Sequence, residues 1–219
     1  MKLLLYGGGC EADNTAIDKA VFEQLRLKKP TITYVPSSSF DHEDEFKAFA
    51  RHFRKLKTYK TLCFPIDTPT DKVMQKYAFK SDIIHLSGGN TYYFLHHLRK
   101  NGYLKKLKHF ASKGGLLTGL SAGAILMTPT IHTAGFPKFD RDDNCVRIKN
   151  LKGLHLVDFE FFPHYVNSHR YDKALLSHSK KSKHVIYACP DGGGIFVNGA
   201  SKTFFGQVYA FYRGQKIVL

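Results

Sequence analysis

Apolar runs and amphipathic stretches alternate over the first 120 residues of the chain. Short apolar runs predict strands over residues 2–6, 31–35, 61–64 and 82–86, and a further strand around Leu116 and Leu117. The stretches between them have helical spacing and predict helices over residues 14–27, 43–56, 70–78, 91–100 and 104–113. Alternation of this kind is typical of a parallel sheet with helices on both faces. The pattern therefore predicts an α/β fold with a doubly wound parallel sheet.

The last part of the chain follows a different pattern. Residues 129–153 are polar and contain two prolines and two glycines, which predicts a long loop. Beyond it, short apolar runs predict strands over residues 185–188, 194–197, 203–205, 207–212 and 216–219, with hairpin turns at Asn198-Gly199 and Arg213-Gly214. Neither a linker nor an internal repeat interrupts the chain, so we expect a single domain over residues 1–219.

Loops rich in Gly, Ser or Asn follow four of the predicted strands, at residues 7–9, 37–39, 87–90 and 119–123. Ligands of open α/β sheets bind beyond the carboxyl ends of the strands, so we expect these loops to converge on one site. The glycines at 7–9 lack the spacing of a nucleotide-binding fingerprint and are interpreted as a tight turn. The run Asp191-Gly192-Gly193-Gly194 is also interpreted as a turn, with at most a minor role for Asp191 at the edge of the site.

The segment Gly119-Leu120-Ser121-Ala122-Gly123 carries the most specific chemistry in the sequence. An apolar run precedes it and good helix formers follow it, at residues 124–127. A strand, a sharp turn centred on serine and a helix together are typical of a nucleophile elbow, in which the serine attacks a carbonyl carbon. The flanking glycines remove side chains that would collide in so tight a turn. Ser121 is therefore our candidate nucleophile.

A serine nucleophile needs a base within hydrogen-bond reach and a carboxylate that orients the base. Of the twelve histidines, His164 fits best, because an apolar run ends at Pro163 just before it and would present it at the end of a strand. Three aspartates lie between Ser121 and His164 in the predicted loop, at positions 140, 142 and 143. The Gly88-Gly89 turn can supply backbone N–H groups to an oxyanion hole, together with the N–H of Ala122. The alternative is a plain strand-to-helix turn in which Asn90 or Thr91 caps the helix.

Charge and composition narrow the classes of function. The formal net charge is +15, but the 33 lysines and arginines are scattered and accompany no nucleic-acid-binding motif, so we expect no nucleic-acid partner. No apolar run is long enough to span a bilayer, and four widely spaced cysteines indicate neither a zinc site nor a disulfide framework. These features predict a cytoplasmic protein without a membrane partner.

Three ordered motifs give the chain a resemblance to a known family. They are Leu86-Ser87-Gly88-Gly89-Asn90-Thr91, Gly119-Leu120-Ser121-Ala122-Gly123-Ala124, and Leu156-Val157-Asp158-Phe159 followed by Pro163-His164-Tyr165. On these residues the chain resembles the serine peptidase family of dipeptidase E (aspartyl dipeptidase) and cyanophycinase. The resemblance implies a fold similar to that of class I glutamine amidotransferases, which is flavodoxin-like.

The resemblance also implies roles for single residues. Ser121 would be the nucleophile, His164 the base and Asp140 the orienting carboxylate, with Asp142 and Asp143 as alternatives. Gly89 and Ala122 would form the oxyanion hole, and Gly88 and Asn90 would contact substrate. The dipeptidase E relatives prefer an N-terminal aspartate, which Arg170 could bind through its guanidinium group. The alternative is that Arg170 is a solvated side chain at the start of a helix.

These observations favour a cytoplasmic serine exopeptidase that hydrolyses small peptides without a metal or organic cofactor. An esterase or amidase on the same fold, and a basic binding module with a vestigial elbow, remain alternatives. The sequence favours neither a monomer nor a homodimer.

Overall fold

A seven-stranded sheet lies at the centre of the computed structural model, which describes residues 1–40 and 42–219. Five of its strands are parallel: β1 Lys2–Tyr6, β2 Thr31–Val35, β3 Lys60–Cys63, β4 Ile83–Leu86 and β5 Leu116–Leu120. Their order across the sheet is β3-β2-β4-β5-β1. The predicted parallel sheet is confirmed, and the first four strands match their predicted bounds to within one residue.

Helices cover both faces of this sheet, as the alternating pattern predicts. They are α1 Thr15–Gln24, α2 His42–Lys55, α3 Lys72–Ala78, α4 Thr91–Lys100, α5 Tyr103–Ser112 and α6 Ala122–Leu126. Side chains along β1 point alternately to the two faces. Leu3 and Leu5 pack in the core that includes α4 and α5, whereas Leu4 and Tyr6 pack in the core that includes α1 and α2. Of the helices in the described residues, none is long and apolar enough to cross a membrane.

The C-terminal strands divide between two sheets. The hairpin of β8 Gly194–Asn198 and β9 Ser201–Phe205 extends the large sheet beside β1 in antiparallel orientation. A second, four-stranded sheet has the order β11-β10-β7-β6 and contains β6 Glu160–Phe162, β7 Ile186–Ala188, β10 Tyr209–Tyr212 and β11 Gln215–Val218. The predicted turns at Gly199 and Gly214 both occur, each with a positive φ at its glycine.

Two features of this region differ from the sequence interpretation. Strand β7 pairs in parallel with β6, a pairing that the sequence interpretation does not include. The helix α7 His169–Ser179, which is absent from the predicted elements, connects these two parallel strands. Its apolar stripe is narrow, because Leu175 is its one buried apolar side chain and Tyr171 and Leu176 beside it are only partly buried.

The polar segment 129–153 is irregular, as predicted, apart from one turn of 3₁₀ helix at His132–Gly135. It is nevertheless held in place. The carboxylate of Asp142 accepts a hydrogen bond from the Thr91 N–H at the start of α4, over 2.7 Å. The Arg99 guanidinium at the other end of α4 donates to the carbonyl oxygens of Asn150 and Lys152. The segment therefore forms a fixed wall beside α4.

His85 on β4 is a buried titratable group between the sheet and α2. Its Nδ1 lies 2.8 Å from the Thr118 hydroxyl, and its ring packs against Tyr34 and Phe49. Burial lowers the pKa of His85 from 6.5 to about 3, because the charged imidazolium would lose its hydration.

This burial predicts a pH-dependent stability. Below its ordinary pKa of 6.5 the unfolded chain protonates His85, whereas the folded chain resists protonation down to about 3. The free energy of unfolding therefore decreases as the pH falls through this range, by up to about 1.4 kcal/mol per pH unit. Urea unfolding between pH 6.5 and 4.5 should show a shallower pH slope for His85→Gln than for the wild type. The exposed His109→Gln is the control, and equal slopes in all three proteins would contradict the prediction.

Candidate active site

Ser121 lies in a sharp turn between β5 and α6. Its backbone has φ +49° and ψ −106°, a conformation that side-chain-bearing residues seldom adopt. The turn is closed by contacts that only glycine permits at Gly119 and Gly123. A Cβ at Gly119 would overlap the backbone of Gly123, and a Cβ at Gly123 would overlap the carbonyl of Leu86. The glycines on either side of Ser121 therefore permit the elbow, because at both positions another backbone segment lies where a Cβ would be.

His164 is positioned by the end of β6. Its backbone also has a positive φ, +53°, and its N–H donates to the Gly7 carbonyl at the end of β1 over 2.7 Å. This conformation turns the imidazole toward the elbow, where Nε2 lies 2.8 Å from Ser121 Oγ.

The carboxylate beside the imidazole belongs to Asp191. Its Oδ1 lies 2.7 Å from His164 Nδ1. The two side chains meet because β6 and β7 are parallel, with Phe162 opposite Ala188. His164 follows Phe162 by two residues and Asp191 follows Ala188 by three, so both lie at the same end of the sheet. Gly8 leaves room for the pair, since a Cβ there would overlap both Asp191 Oδ1 and the imidazole.

The hydrogen-bond partners of His164 indicate which of its ring nitrogens carries the proton. An ionised carboxylate only accepts hydrogen bonds, so Nδ1 carries the proton and donates to Asp191. Nε2 then presents a lone pair to the Ser121 hydroxyl, which donates its proton to it. This is the geometry in which an imidazole can act as a general base toward a serine.

The structure does not bring Asp140 to the imidazole. Its carboxylate accepts a hydrogen bond from the Tyr171 hydroxyl over 2.7 Å, and the carboxylate of Asp142 binds the start of α4. Asp143 contributes only its carbonyl, to the Asn90 amide. The expected position of Asp140 is therefore corrected, and Asp191 takes the place beside His164.

Sequence reasoning missed Asp191 because the apolar runs alone do not indicate which strands of the C-terminal part are neighbours. The signal was present in the chain, since Asp191 and His164 each follow a short apolar run by a similar distance. The carboxyl ends of parallel strands meet at the same edge of a sheet, so recognising residues 160–162 and 186–188 as parallel neighbours would have paired the two residues.

The loop after β4 lies directly beside the elbow. The Gly123 N–H donates to the Ser87 carbonyl over 3.1 Å, and the Ser37 N–H donates to the Ser87 hydroxyl over 2.8 Å. Within the described part of the chain, the N–H groups of Gly89 and Ala122 have no hydrogen-bond acceptor. Donors left free beside a serine are available to a developing oxyanion. The predicted convergence of the glycine- and serine-rich loops is thus observed.

The model of peptidase family S51 matches residues 3–204 of this sequence. The chain belongs to peptidase family S51. It is 30% identical over 181 residues to an uncharacterized peptidase, Lmo0363, of Listeria monocytogenes serovar 1/2a. This alignment covers 80% of this chain and 86% of the relative. It is also 26% identical over 148 residues to peptidase E of Escherichia coli, in an alignment that covers 63% of this chain and 62% of the relative.

Solved structures of similar proteins have the same fold. A structure described as peptidase E from Listeria monocytogenes EGD-e superposes with a TM-score of 0.73 at 26% identity, over 93% of this chain and 96% of that one. A peptidase from an acI-B1 actinobacterium superposes with a TM-score of 0.71 at 17% identity, over 100% of this chain and 93% of that one. The chain is therefore a peptidase, with the peptidase E-like α/β fold that its motifs imply.

Two cavities of this S51 chain meet at Ser121, His164 and Gly89. The first, of about 400 Å³, extends between the elbow and helices α1 and α2 and includes Gly88 in its wall. The second, of about 330 Å³, extends toward the 3₁₀ helix and the segment 129–153. We call them the α1–α2 cavity and the loop cavity.

Two of the expected substrate-binding residues lie outside both cavities. Asn90 is the N-cap of α4: its Oδ1 accepts from the Tyr93 N–H over 2.9 Å, and its Nδ2 donates to the Asp143 carbonyl. The guanidinium of Arg170 lies over the ring of Phe139, 3.3 Å from the centroid, and Arg170 is exposed on the first turn of α7. Neither residue lines the space next to Ser121.

The hydrogen bond between His164 and Asp191 predicts how fast Ser121 reacts with a fluorophosphonate. Asp191→Asn should slow phosphonylation by roughly 100-fold or more, because an amide no longer fixes the reactive tautomer. Asp140→Asn and Asp143→Asn are the controls and should react within about threefold of the wild-type rate. Peptide mapping by mass spectrometry identifies the modified residue. A label at another residue, or a larger effect of Asp140→Asn than of Asp191→Asn, would contradict this assignment.

Proposed function

We propose that this chain is a serine exopeptidase that releases single residues from the amino terminus of short peptides. The observation that carries the proposal is the continuous hydrogen-bond chain from Ser121 Oγ through His164 to Asp191, with heavy-atom distances of 2.8 and 2.7 Å. Membership of peptidase family S51 supports amide hydrolysis as the reaction. The four free thiols support the cytoplasm as its location.

The proposed reaction uses each of these groups in turn. Ser121 Oγ attacks the scissile carbonyl carbon while His164 Nε2 takes the hydroxyl proton. The resulting oxyanion accepts hydrogen bonds from the N–H groups of Gly89 and Ala122. The C–N bond then breaks, His164 returns its proton to the leaving amine, and water hydrolyses the acyl-enzyme with His164 again acting as base. Asp191 stabilises the imidazolium in both halves of the reaction.

The loop cavity supports an exopeptidase in particular. Asp140 and Asp142 both line it, and each uses only one carboxylate oxygen in its hydrogen bond. Thr91 and Thr133 also line it, and their hydroxyl oxygens are buried and have no hydrogen-bond partner in the described residues. Buried polar atoms without a partner are uncommon and suggest a missing ligand. A peptide ammonium group, which carries three N–H donors and a positive charge, fits this set of acceptors.

The carboxylates of Asp140 and Asp142 also limit which side chain the first substrate residue can carry. The resemblance implies a preference for N-terminal aspartate, but Arg170 does not line the loop cavity, and Asp140 and Asp142 would repel an acidic side chain. We therefore propose short peptides with a free amino terminus and a neutral or basic side chain as the substrate class. An esterase needs no acceptor set for an ammonium group, so this observation favours a peptidase.

Turnover of Ala-Ala tests the proposed nucleophile and base. Ser121→Ala and His164→Ala should each lower kcat by at least about 10³-fold, the scale on which members of a triad act. His169→Ala, five residues beyond His164 on α7, is the matched control and should keep wild-type kcat. Circular dichroism checks that each variant is folded. Near-normal turnover by a folded Ser121→Ala protein would exclude the proposed mechanism.

The free amino terminus can be tested separately. Acetyl-Ala-Ala should be a poor substrate, because its blocked nitrogen carries no charge. Asp142→Asn should raise KM for Ala-Ala by roughly tenfold, since an amide oxygen can still bind the Thr91 N–H but lacks the negative charge. Asp143→Asn, whose side chain lies outside both cavities, should leave KM unchanged. Equal cleavage of the acetylated and free peptides would show that the enzyme is not an aminopeptidase.

A further inference from the structure

The α1–α2 cavity differs in character from the rest of this basic protein. The chain has 33 lysines and arginines, yet none of them lines this cavity in the described structure. Its acidic lining residues are Glu11, Asp18 and Glu45. A cavity that keeps one sign of charge within a protein of the opposite net charge concentrates the complementary ligand.

Hydrogen-bond acceptors of this cavity remain unused. Asn14 is only 5% exposed, and its Oδ1 has no partner in the described residues, while its Nδ2 donates to the carbonyl oxygens of Gly8 and Cys10. One oxygen of the Glu45 carboxylate accepts from the Tyr34 hydroxyl over 3.2 Å, and among the described residues the other has no partner. A ligand with several N–H donors would satisfy both groups.

Asp18 places a carboxylate at the inner end of the α1–α2 cavity, but both of its oxygens already accept hydrogen bonds from the protein. Its carboxylate accepts from the Tyr6 hydroxyl and from His52 Nε2, the latter over 2.8 Å. His85, the other imidazole in that part of the wall, stays neutral because burial lowers its pKa to about 3. No lysine or arginine of the described structure lines this wall to compete with a positively charged ligand.

The remaining wall is aromatic. Tyr34, Phe49 and Phe53 line the cavity and pack against one another, with ring centroids 4.5 to 4.8 Å apart for the two closest pairs. Such a surface suits the aliphatic stem of a lysine or the flat face of a guanidinium group. Acceptors together with aromatic rings describe a site for a long side chain with a cationic end.

We propose that the α1–α2 cavity binds a lysine or arginine side chain of the residue that follows the scissile bond. The proposal rests on the proposed function, in which the amino terminus of the substrate occupies the loop cavity. The two cavities share only the residues at Ser121, so a peptide that enters from one and crosses the nucleophile continues into the other. The substrate class is therefore a dipeptide or short peptide with a basic second residue.

Three dipeptides test the proposal directly: Ala-Lys, Ala-norleucine and Ala-Glu. Norleucine keeps the aliphatic stem of lysine but lacks the ammonium group. The wild-type enzyme should have a kcat/KM for Ala-Lys roughly tenfold above that for Ala-norleucine, the scale of one charge-assisted hydrogen bond at a partly exposed site. Ala-Glu should be the poorest of the three.

Glu45 variants identify the cavity as the source of this preference. Glu45→Gln should reduce the ratio of kcat/KM for Ala-Lys to that for Ala-norleucine about fivefold, because only the lysine ammonium group loses a charged partner. Glu45→Lys should invert the order of Ala-Lys and Ala-Glu. Glu43→Gln is the matched control, because Glu43 lies in the same first turn of α2 but outside the cavity, and it should leave both ratios unchanged.

Two results would overturn the proposal: equal rates for Ala-Lys and Ala-norleucine, or a preference that Glu45→Gln leaves intact. A preference for Lys-Ala over Ala-Lys that Glu45→Gln abolishes would also overturn it, by assigning the cavity to the residue before the scissile bond. Calorimetric binding of Ala-Lys and Ala-norleucine to Ser121→Ala repeats the comparison without hydrolysis. Tighter binding of Ala-Lys with no turnover in the wild type would refute the proposed function while supporting the cavity.

Discussion

The site depends on one junction, the place where the two sheets are joined by backbone hydrogen bonds. The His164 N–H donates to the Gly7 carbonyl at the end of β1, and the Gly7 N–H donates to the Gly193 carbonyl beyond Asp191. The Tyr165 N–H donates to the Cys189 carbonyl. These bonds fix the imidazole and its carboxylate relative to the central sheet that carries Ser121. Because they run between main-chain groups, they hold three segments that are distant in sequence without depending on flexible side chains.

Both residues that would react, Ser121 and His164, are among the eight side-chain-bearing residues of the described structure that have a positive φ. Ser121 and His164 both have positive φ values, which cost an ordinary residue about 1–3 kcal/mol each. The surrounding contacts compensate for this cost: the Ser121 N–H donates to the Tyr6 carbonyl, and the elbow packs against Leu86. Strain that the fold maintains keeps both side chains in one orientation, so a substrate does not have to order them on binding.

The distribution of charge around the nucleophile is opposite to that of the whole chain. A net charge of +15 resides on the exterior, whereas carboxylates line both cavities that open at Ser121. The contrast gives a physical reason for interpreting the site as one for cationic groups, an amino terminus on one side and a basic side chain on the other. Because the exterior and the cavities carry opposite charge, the net charge of the chain does not indicate the charge of the substrate.

The sequence by itself determined the layers of the fold and the elbow. Alternating apolar runs specify a parallel sheet, because both faces of such a sheet must be buried, and the glycines at 119 and 123 specify a turn that no larger residue allows. Local signals of this kind depend only on neighbours in the chain. Only the tertiary structure decided which carboxylate meets His164, because that choice depends on β6 and β7 pairing in parallel across the helix α7, whose apolar stripe is narrow. It also decided that Arg170 packs on Phe139, since a cationic side chain takes whichever partners the folded backbone brings within reach.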